Sequence, residues 1–175
     1  MNQKLGQLKK IEKLNVGCGH DIKRGYINLD IQKHKGVDVI HDLNQFPYPF
    51  PDNSFSYIYS RNCLDMLFNV DKVFDELYRI CKKDAILDII VYHFSSQMAY
   101  FFMNKTFFNV DSLNSVYIRK TFEVLEKRLV ISERKTFLIW LLEKWINKHK
   151  QYYEKTCLKT LVPAYQLFFR LRVKK

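Results

Sequence analysis

At 175 residues the chain suits one domain with a single core, and its 47% hydrophobic and 15% aromatic content excludes intrinsic disorder. Its four cysteines (Cys18, Cys63, Cys81 and Cys157) make no Cys-x-x-Cys pair and no zinc spacing with histidine, which argues against a disulfide frame or a structural metal. The net charge of +11 is uneven: residues 1–100 carry 13 Lys/Arg against 12 Asp/Glu, and residues 101–175 carry 16 against 6.

In chain order, short apolar runs predict strands at Lys13–Gly17, Tyr26–Ile31, Asp38–His41 and Ser56–Ser60. Few residues separate Gly19 from Tyr26, so a loop or single turn is expected there instead of a crossover helix. Asn69 or Asp71 starts a helix whose apolar face is Val73, Phe74, Leu77 and Ile80, with Lys82 and Lys83 at its carboxyl end. Ala85–Tyr92 reads as a buried parallel strand. A further helix is expected from Asp111 or Ser112 to about Lys120, and a strand over Phe122–Ser132. Lys135–His149 places Leu138, Leu141, Leu142, Trp145 and Ile146 on one helical face, with Phe137 and Trp140 widening the stripe. A helical stretch from Gln151 to about Leu161 is closed by Pro163. Tyr165–Val173 alternates Leu167, Phe169, Leu171 and Val173 with Gln166, Arg170 and Arg172, as a half-buried, antiparallel last strand should.

The first strand leads into Leu14-Asn15-Val16-Gly17-Cys18-Gly19, and the second ends Ile27-Asn28-Leu29-Asp30. Glycine admits positive φ and lets a ligand approach bare backbone, while a carboxylate at the next strand tip accepts hydrogen bonds from ribose hydroxyls. An NAD fingerprint needs a third glycine where Ile22 stands, and its acid comes later than Asp30. A Walker loop needs Gly-Lys-Ser/Thr, which is absent.

The pattern resembles class I S-adenosylmethionine-dependent methyltransferases. Val37-Asp38-Val39-Ile40-His41-Asp42-Leu43 resembles that family's third strand with its adenine-contacting Asp-Leu. Phe46-Pro47-Tyr48-Pro49-Phe50-Pro51-Asp52-Asn53-Ser54-Phe55 resembles its turn into the fourth strand, and Glu76-Leu77-Tyr78-Arg79-Ile80 its Glu-Leu-x-Arg helix. Tyr92-His93-Phe94-Ser95-Ser96 is similar to a Pro-His-Phe-Ser-Ser segment of small, type-11-like members often associated with glycan biosynthesis. The likeness spans roughly Lys13 to Ser96. It departs at Leu64-Asp65-Met66-Leu67, where the family's Leu-Glu-His-Leu histidine is lost, at Lys82-Lys83-Asp84-Ala85 and at Phe102-Met103-Asn104-Lys105-Thr106.

The resemblance implies an α/β, Rossmann-like methyltransferase fold: a mostly parallel sheet, an antiparallel last strand and a helical insertion before it. One domain is expected over residues 1–175, with a cofactor half at about 11–96 and a basic substrate or lid portion at about 97–175. It implies S-adenosylmethionine held by Asn15, Gly17, Cys18, Gly19, Asp30, Ile31, Asp42, Leu43, Ser60 and Arg61, with Asp30 on the ribose and Asp42 near the adenine amino group. Asn15 either places backbone near the methionine end or is a polar strand terminus. His93 is either a base taking a hydroxyl proton or a histidine hydrogen-bonded in a loop. His20 and His41 are expected to pack around the cofactor. Arg61 meets the methionine carboxylate or an anionic acceptor, or is solvated. No metal ligand set is visible.

The expected reaction is methyl transfer to a small-molecule or glycan-type hydroxyl, carried by in-line positioning. Ser60-Arg61-Asn62-Cys63 differs from the motif of enzymes that methylate planar amino groups. The basic C-terminal portion suits an anionic partner: a lipid-linked or nucleotide-sugar acceptor, an anionic membrane surface, or nucleic acid. An RNA methyltransferase and a non-catalytic cofactor-binding or peripheral membrane protein are the alternative readings. The helix bearing Phe137 and Trp140 either packs over the sheet edge with its basic residues outward, the favoured arrangement, or leaves an apolar patch. Met1-Asn2-Gln3-Lys4 carries no apolar leader and the run Phe137–Leu142 is too short to span a bilayer, so a cytoplasmic setting is expected, with peripheral contact at the inner membrane face.

Overall fold

Alternation along the strands turns Leu14, Val16, Ile27, Leu29, Ile58, Leu87, Ile89 and Val91 into one buried cluster, and this builds the sheet. The computed structural model describes residues 11–134 and 136–175 and, for Val116 and Tyr117, the backbone alone. Lys135, the expected start of the Trp-bearing helix, lies outside the described residues.

The elements are β1 (Lys13–Val16), β2 (Ile27–Asp30), β3 (Val39–Ile40), β4 (Phe55–Arg61), α1 (Val70–Ile80), β5 (Cys81–Tyr92), α2 (Val116–Thr121), β6 (Phe122–Val130), α3 (Phe137–Lys148), α4 (Lys150–Lys155), α5 (Leu158–Leu161) and β7 (Gln166–Val173). The sheet order is β3-β2-β1-β4-β5-β7-β6. The pairs from β3 through β5 are parallel, and β7 runs antiparallel to both β5 and β6. Strand order reverses beside β1, so the carboxyl ends of β1, β2 and β4 flank a topological switch point, where open α/β sheets bind ligands.

The expected strands are present, with shifted bounds. β5 begins at Cys81, directly after α1, and a register shift between Phe55 and Tyr57 accommodates the added residues. Asp84 takes φ 60° within that irregular stretch. Asn69 is the N-cap position of α1 but its side chain makes no capping bond. The helix expected from Asp111 or Ser112 starts only at Val116, because Ser115 caps it by accepting from the Ile118 N–H at 3.2 Å. The stretch after α3 divides into α4 and α5.

No helix joins β1 to β2. The loop between them is held by amides on the sheet face opposite the apolar cluster. Asn15 Nδ2 donates to the Asp21 carbonyl (2.7 Å) and to Asn28 Oδ1 (3.0 Å), and Asn28 Oδ1 also accepts from the Lys23 N–H at 2.9 Å. Buried polar groups must find partners, and here their partners are the loop that replaces a crossover helix.

The Phe46–Ser54 turn is fixed by α1. Glu76 Oε2 accepts the Tyr48 N–H at 2.6 Å, while the Arg79 guanidinium donates to the Phe50 and Tyr48 carbonyls and to Asp52. Glu76 and Arg79 also pair with each other, three residues apart on one helix face.

The packing expected of α3 is overturned. Only Ile146 of this helix is buried; Leu138, Leu141, Leu142 and Trp145, predicted to face the core, are exposed. The inward side instead presents Glu143 and Asn147 to the edge strand β6.

Candidate active site

β1 ends in a turn at Gly17 (φ 62°) and Gly19 (φ 48°). A Cβ on Gly17 would lie 2.1 Å from Cys63 Sγ, so this position requires glycine for space as well as for φ. Asp30, at the tip of β2, accepts the Gly19 N–H on Oδ2 at 2.8 Å and the Gln32 N–H on Oδ1 at 3.0 Å. Each carboxylate oxygen keeps a further lone pair for a ligand hydroxyl. Beside it, Ile31 is 60% exposed, an apolar side chain at the mouth of a polar edge.

Between these ends lies a cavity of about 300 Å³ lined by Asn15, Gly17, Cys18, Gly19, His20, Asp21, Tyr59, Arg61 and Asn62. The structure therefore brings together Asn15, Gly17, Cys18, Gly19 and Arg61 of the expected set, with Asp30 bonded to Gly19. Asn15 lines the cavity, but its amide nitrogen is engaged by Asp21 and Asn28, so it serves the loop as a polar strand residue. Burial, followed by the charge of Asp30, pushes the Cys18 thiol up to about 11, and burial raises Cys63 to about 12. Both thiols are protonated at neutral pH. Arg61 is paired with Glu133 from the segment after β6.

Asp42 closes a tight turn by accepting the Asn44 N–H at 2.9 Å, and its neighbour Leu43 is buried with its carbonyl bonded to the Tyr48 hydroxyl. His41 packs edge-on against Tyr48, and His20 stacks on His34 at 4.9 Å.

His93 does not open into the crevice. Its side chain is 0% exposed, with Nε2 2.9 Å from Glu154 Oε1 and Nδ1 2.8 Å from Ser95 Oγ. The Ser95 N–H also donates to Nδ1, which assigns the ring proton to Nε2. Both nitrogens are taken, and a base must reach the proton it removes. Of the two sequence readings, the geometry is that of the hydrogen-bonded histidine, clamping the end of β5 to α4.

Three residues escaped the sequence reading. Tyr59 lines the cavity beneath Lys23, whose Nζ lies 4.2 Å from its ring centre. Asn62, at φ 50°, donates to the Tyr92 hydroxyl at 3.0 Å and accepts from Gln166 at 2.9 Å, knitting the ends of β4, β5 and β7. An asparagine just past a strand, tolerant of left-handed backbone, was the available signal. Asp65 is 2% exposed and its Oδ1 has no hydrogen-bond partner among the described residues; Ser60 Oγ shares that condition. Desolvation raises the Asp65 carboxyl above its usual range.

A family model described as a methyltransferase domain matches residues 14–89. No curated protein matches. Among solved structures, an S-adenosylmethionine-dependent methyltransferase from Mesorhizobium loti aligns with TM-score 0.62 and 12% identity, covering 98% of this chain and 96% of that one. A chain from the complex of the Haloferax volcanii Trm112 methyltransferase activator with a methyltransferase aligns with TM-score 0.62 and 12% identity over 99% of this chain and 88% of that one. Phosphoethanolamine N-methyltransferase 2 of Haemonchus contortus, in complex with phosphomonomethylethanolamine and S-adenosylhomocysteine, aligns at TM-score 0.59 and 19% identity, over 99% of this chain and 52% of that one. The chain thus has the Rossmann-like fold of S-adenosylmethionine-dependent methyltransferases, and residues 14–89, which hold the glycine turn, Asp30 and the Glu76–Arg79 clasp, match a methyltransferase domain.

Proposed function

We propose that this chain transfers the sulfonium methyl group of S-adenosylmethionine to a hydroxyl oxygen of a small-molecule or glycan-type acceptor. The crevice at the switch point carries the reading: a side-chain-free turn at Gly17 and Gly19, a carboxylate at the neighbouring strand tip, and a wall of Tyr59, Arg61 and Asn62. The free lone pairs of Asp30 would take the ribose hydroxyls, Ile31 would cover the adenine, and Asp42 with the Leu43 backbone would meet the adenine edge. Ser60 Oγ and Asp65 Oδ1, buried without partners at the same edge, fit the donor-rich ammonium of the methionine end. Arg61 fits its carboxylate.

Bound S-adenosylmethionine would supply the methyl group: its carbon–sulfur bond would break as the acceptor oxygen–carbon bond forms, with S-adenosylhomocysteine as the leaving group and the hydroxyl proton released. Polar walls suit a hydroxylated acceptor, whose many donors and acceptors would otherwise be desolvated without replacement. With His93 engaged elsewhere, His20 is the imidazole that lines the crevice and faces solvent, and it takes the proton role. The three buried cysteines are free thiols, in keeping with a cytoplasmic setting.

The test is transfer of isotopically labelled methyl from S-adenosylmethionine to a panel of mono- and oligosaccharides, nucleotide sugars and RNA. Label in a sugar, with turnover reduced at least tenfold in His20→Ala at unchanged cofactor affinity, is the expected result. Label in RNA alone would move the reading to an RNA methyltransferase. Cofactor binding with no transfer to any of them would make the protein a binding protein.

A further inference from the structure

We propose that α3 docks the protein on the interfacial layer of a membrane that contains anionic lipids. The helix is inverted with respect to a surface helix of a water-soluble domain, whose apolar side faces inward. Its inward side is polar: the Ile131 N–H donates to Glu143 at 3.1 Å, and Asn147 both accepts from the Leu129 N–H (2.8 Å) and donates to the Leu129 carbonyl (2.7 Å). These bonds satisfy the open edge of β6, the outermost strand, and fix the helix's rotation.

The same rotation turns the apolar residues outward. Phe137 is 71% exposed, Leu138 76%, Trp140 50% and Trp145 44%, and Leu141 is exposed between them. A contiguous apolar stripe of this kind marks an interaction surface. Charge identifies the occupant. Lys144 and Lys148 lie on the exposed part of the same helix, with Lys144 Nζ 5.2 Å from the Trp140 ring centre. Behind the stripe, a groove of about 550 Å³ between β6 and α3 gathers Lys127, Arg128, Lys144 and Lys150 around Trp140, in excess over its two acids, Glu126, which pairs with Arg128, and Glu143, which accepts the Ile131 N–H. Burial, then the charge of Lys127, lowers the Lys150 pKa, a strain that an anion in the groove would relieve. Apolar stripe, tryptophans and a cationic groove match the acyl boundary, interface and phosphate headgroups of an anionic bilayer in that order.

The dimensions agree. Twelve residues make a helix of about 18 Å, suited to lying in the interface plane. Among the described residues no helix is long and apolar enough to cross a membrane. The placement also bears on substrate access: Glu133, three residues before the Thr136 N-cap of α3, pairs with Arg61 in the crevice wall. A docked α3 therefore holds the crevice beside the membrane, where a lipid-linked acceptor would present its polar end. The docking itself does not depend on methyl transfer.

The two tryptophans of the chain are Trp140 and Trp145, both on α3, so selectively excited tryptophan fluorescence reports this helix alone. The full chain is mixed at low salt with vesicles of phosphatidylcholine, or of phosphatidylcholine with phosphatidylglycerol, and followed by emission and by flotation. The expected result is a blue shift and co-flotation with anionic vesicles only, weakened at least tenfold by high salt. Lys144→Glu with Lys148→Glu, and separately Leu138→Gln with Leu141→Gln, alter exposed side chains and should each weaken binding about tenfold or more while the melting temperature holds. Failure to bind anionic vesicles at low salt overturns the proposal. So does binding that both double variants leave unchanged. A concentration-dependent dimer abolished by Leu138→Gln with Leu141→Gln, in a chain that ignores vesicles, would assign the stripe to a second copy; RNA that shifts the emission where vesicles do not would assign the groove to nucleic acid.

Discussion

The Gly19 N–H donates to Asp30 Oδ2 at 2.8 Å, so the glycine turn after β1 and the tip of β2 are tied together before any ligand arrives. The carboxylate thus has two tasks, shaping the loop and offering its remaining lone pairs. Asp30→Ala should lower S-adenosylmethionine affinity about ten- to a hundredfold, from charge-assisted hydrogen bonds worth roughly 1.5–3 kcal/mol each. Isothermal titration of the folded variant checks it; unchanged affinity removes Asp30 from the ribose.

His93 should matter for stability first. Its imidazole and Glu154 satisfy each other in the interior, and Glu154 Oε1 also accepts the Val110 N–H at 2.9 Å. His93→Ala leaves a buried carboxylate short of a donor and opens a cavity, a loss of about 2–4 kcal/mol. Thermal unfolding measures this. Turnover per folded molecule, assayed well below the melting temperature, should stay within a few-fold of wild type. A selective loss of turnover at intact stability would restore the base role.

Glu76 predicts an acid-sensitive clasp. Hydrogen bonds from Arg79 chiefly, then from the Tyr48 N–H, hold its carboxyl below the usual range. A depressed carboxyl contributes stability above its unfolded pKa of about 4.3, and that stability is lost as pH falls through the lower folded value. Glu76→Gln should therefore destabilise the protein by roughly 1–3 kcal/mol at pH 7, with the gap from wild type closing below about pH 4. Denaturant unfolding across that range decides it; a pH-independent gap contradicts the linkage.

Asp65 has the opposite sign. Burial raises its carboxyl, so the charged form strains the fold at neutral pH, and the strain fades as pH falls through the raised folded value. Asp65→Asn should stabilise the protein by about 1–3 kcal/mol at pH 7 while weakening S-adenosylmethionine at least tenfold. Gain in stability without loss of affinity would make Asp65 a structural liability with no ligand role.

The strand positions, the missing first crossover helix and the antiparallel last strand were legible because each rests on local pattern: apolar runs, glycine spacing and alternation. The orientation of α3 was not. Its apolar stripe reads as core, and only the pairing of Glu143 and Asn147 with the β6 backbone, a contact across 12 and 18 residues, turns it outward. His93 was placed correctly at the end of β5, yet its partner Glu154 lies 61 residues on, and nothing local announces that bond. The glycine turn and Asp30 were legible since their φ angles and strand-tip position follow from short-range chemistry. Ser60, named for the cofactor from sequence, lies within β4 and Asp65 follows that strand, but their unpartnered burial is a property of packing.

A cofactor crevice at the carboxyl ends of β1, β2 and β4 can be probed by calorimetric titration of the purified chain with S-adenosylmethionine, S-adenosylhomocysteine, NAD and ATP. One-to-one binding of the first two is expected, with a matching rise in melting temperature because only the folded state binds them, and no comparable binding of NAD or ATP. A chain that binds neither sulfur nucleoside, or that prefers NAD or ATP, would contradict it.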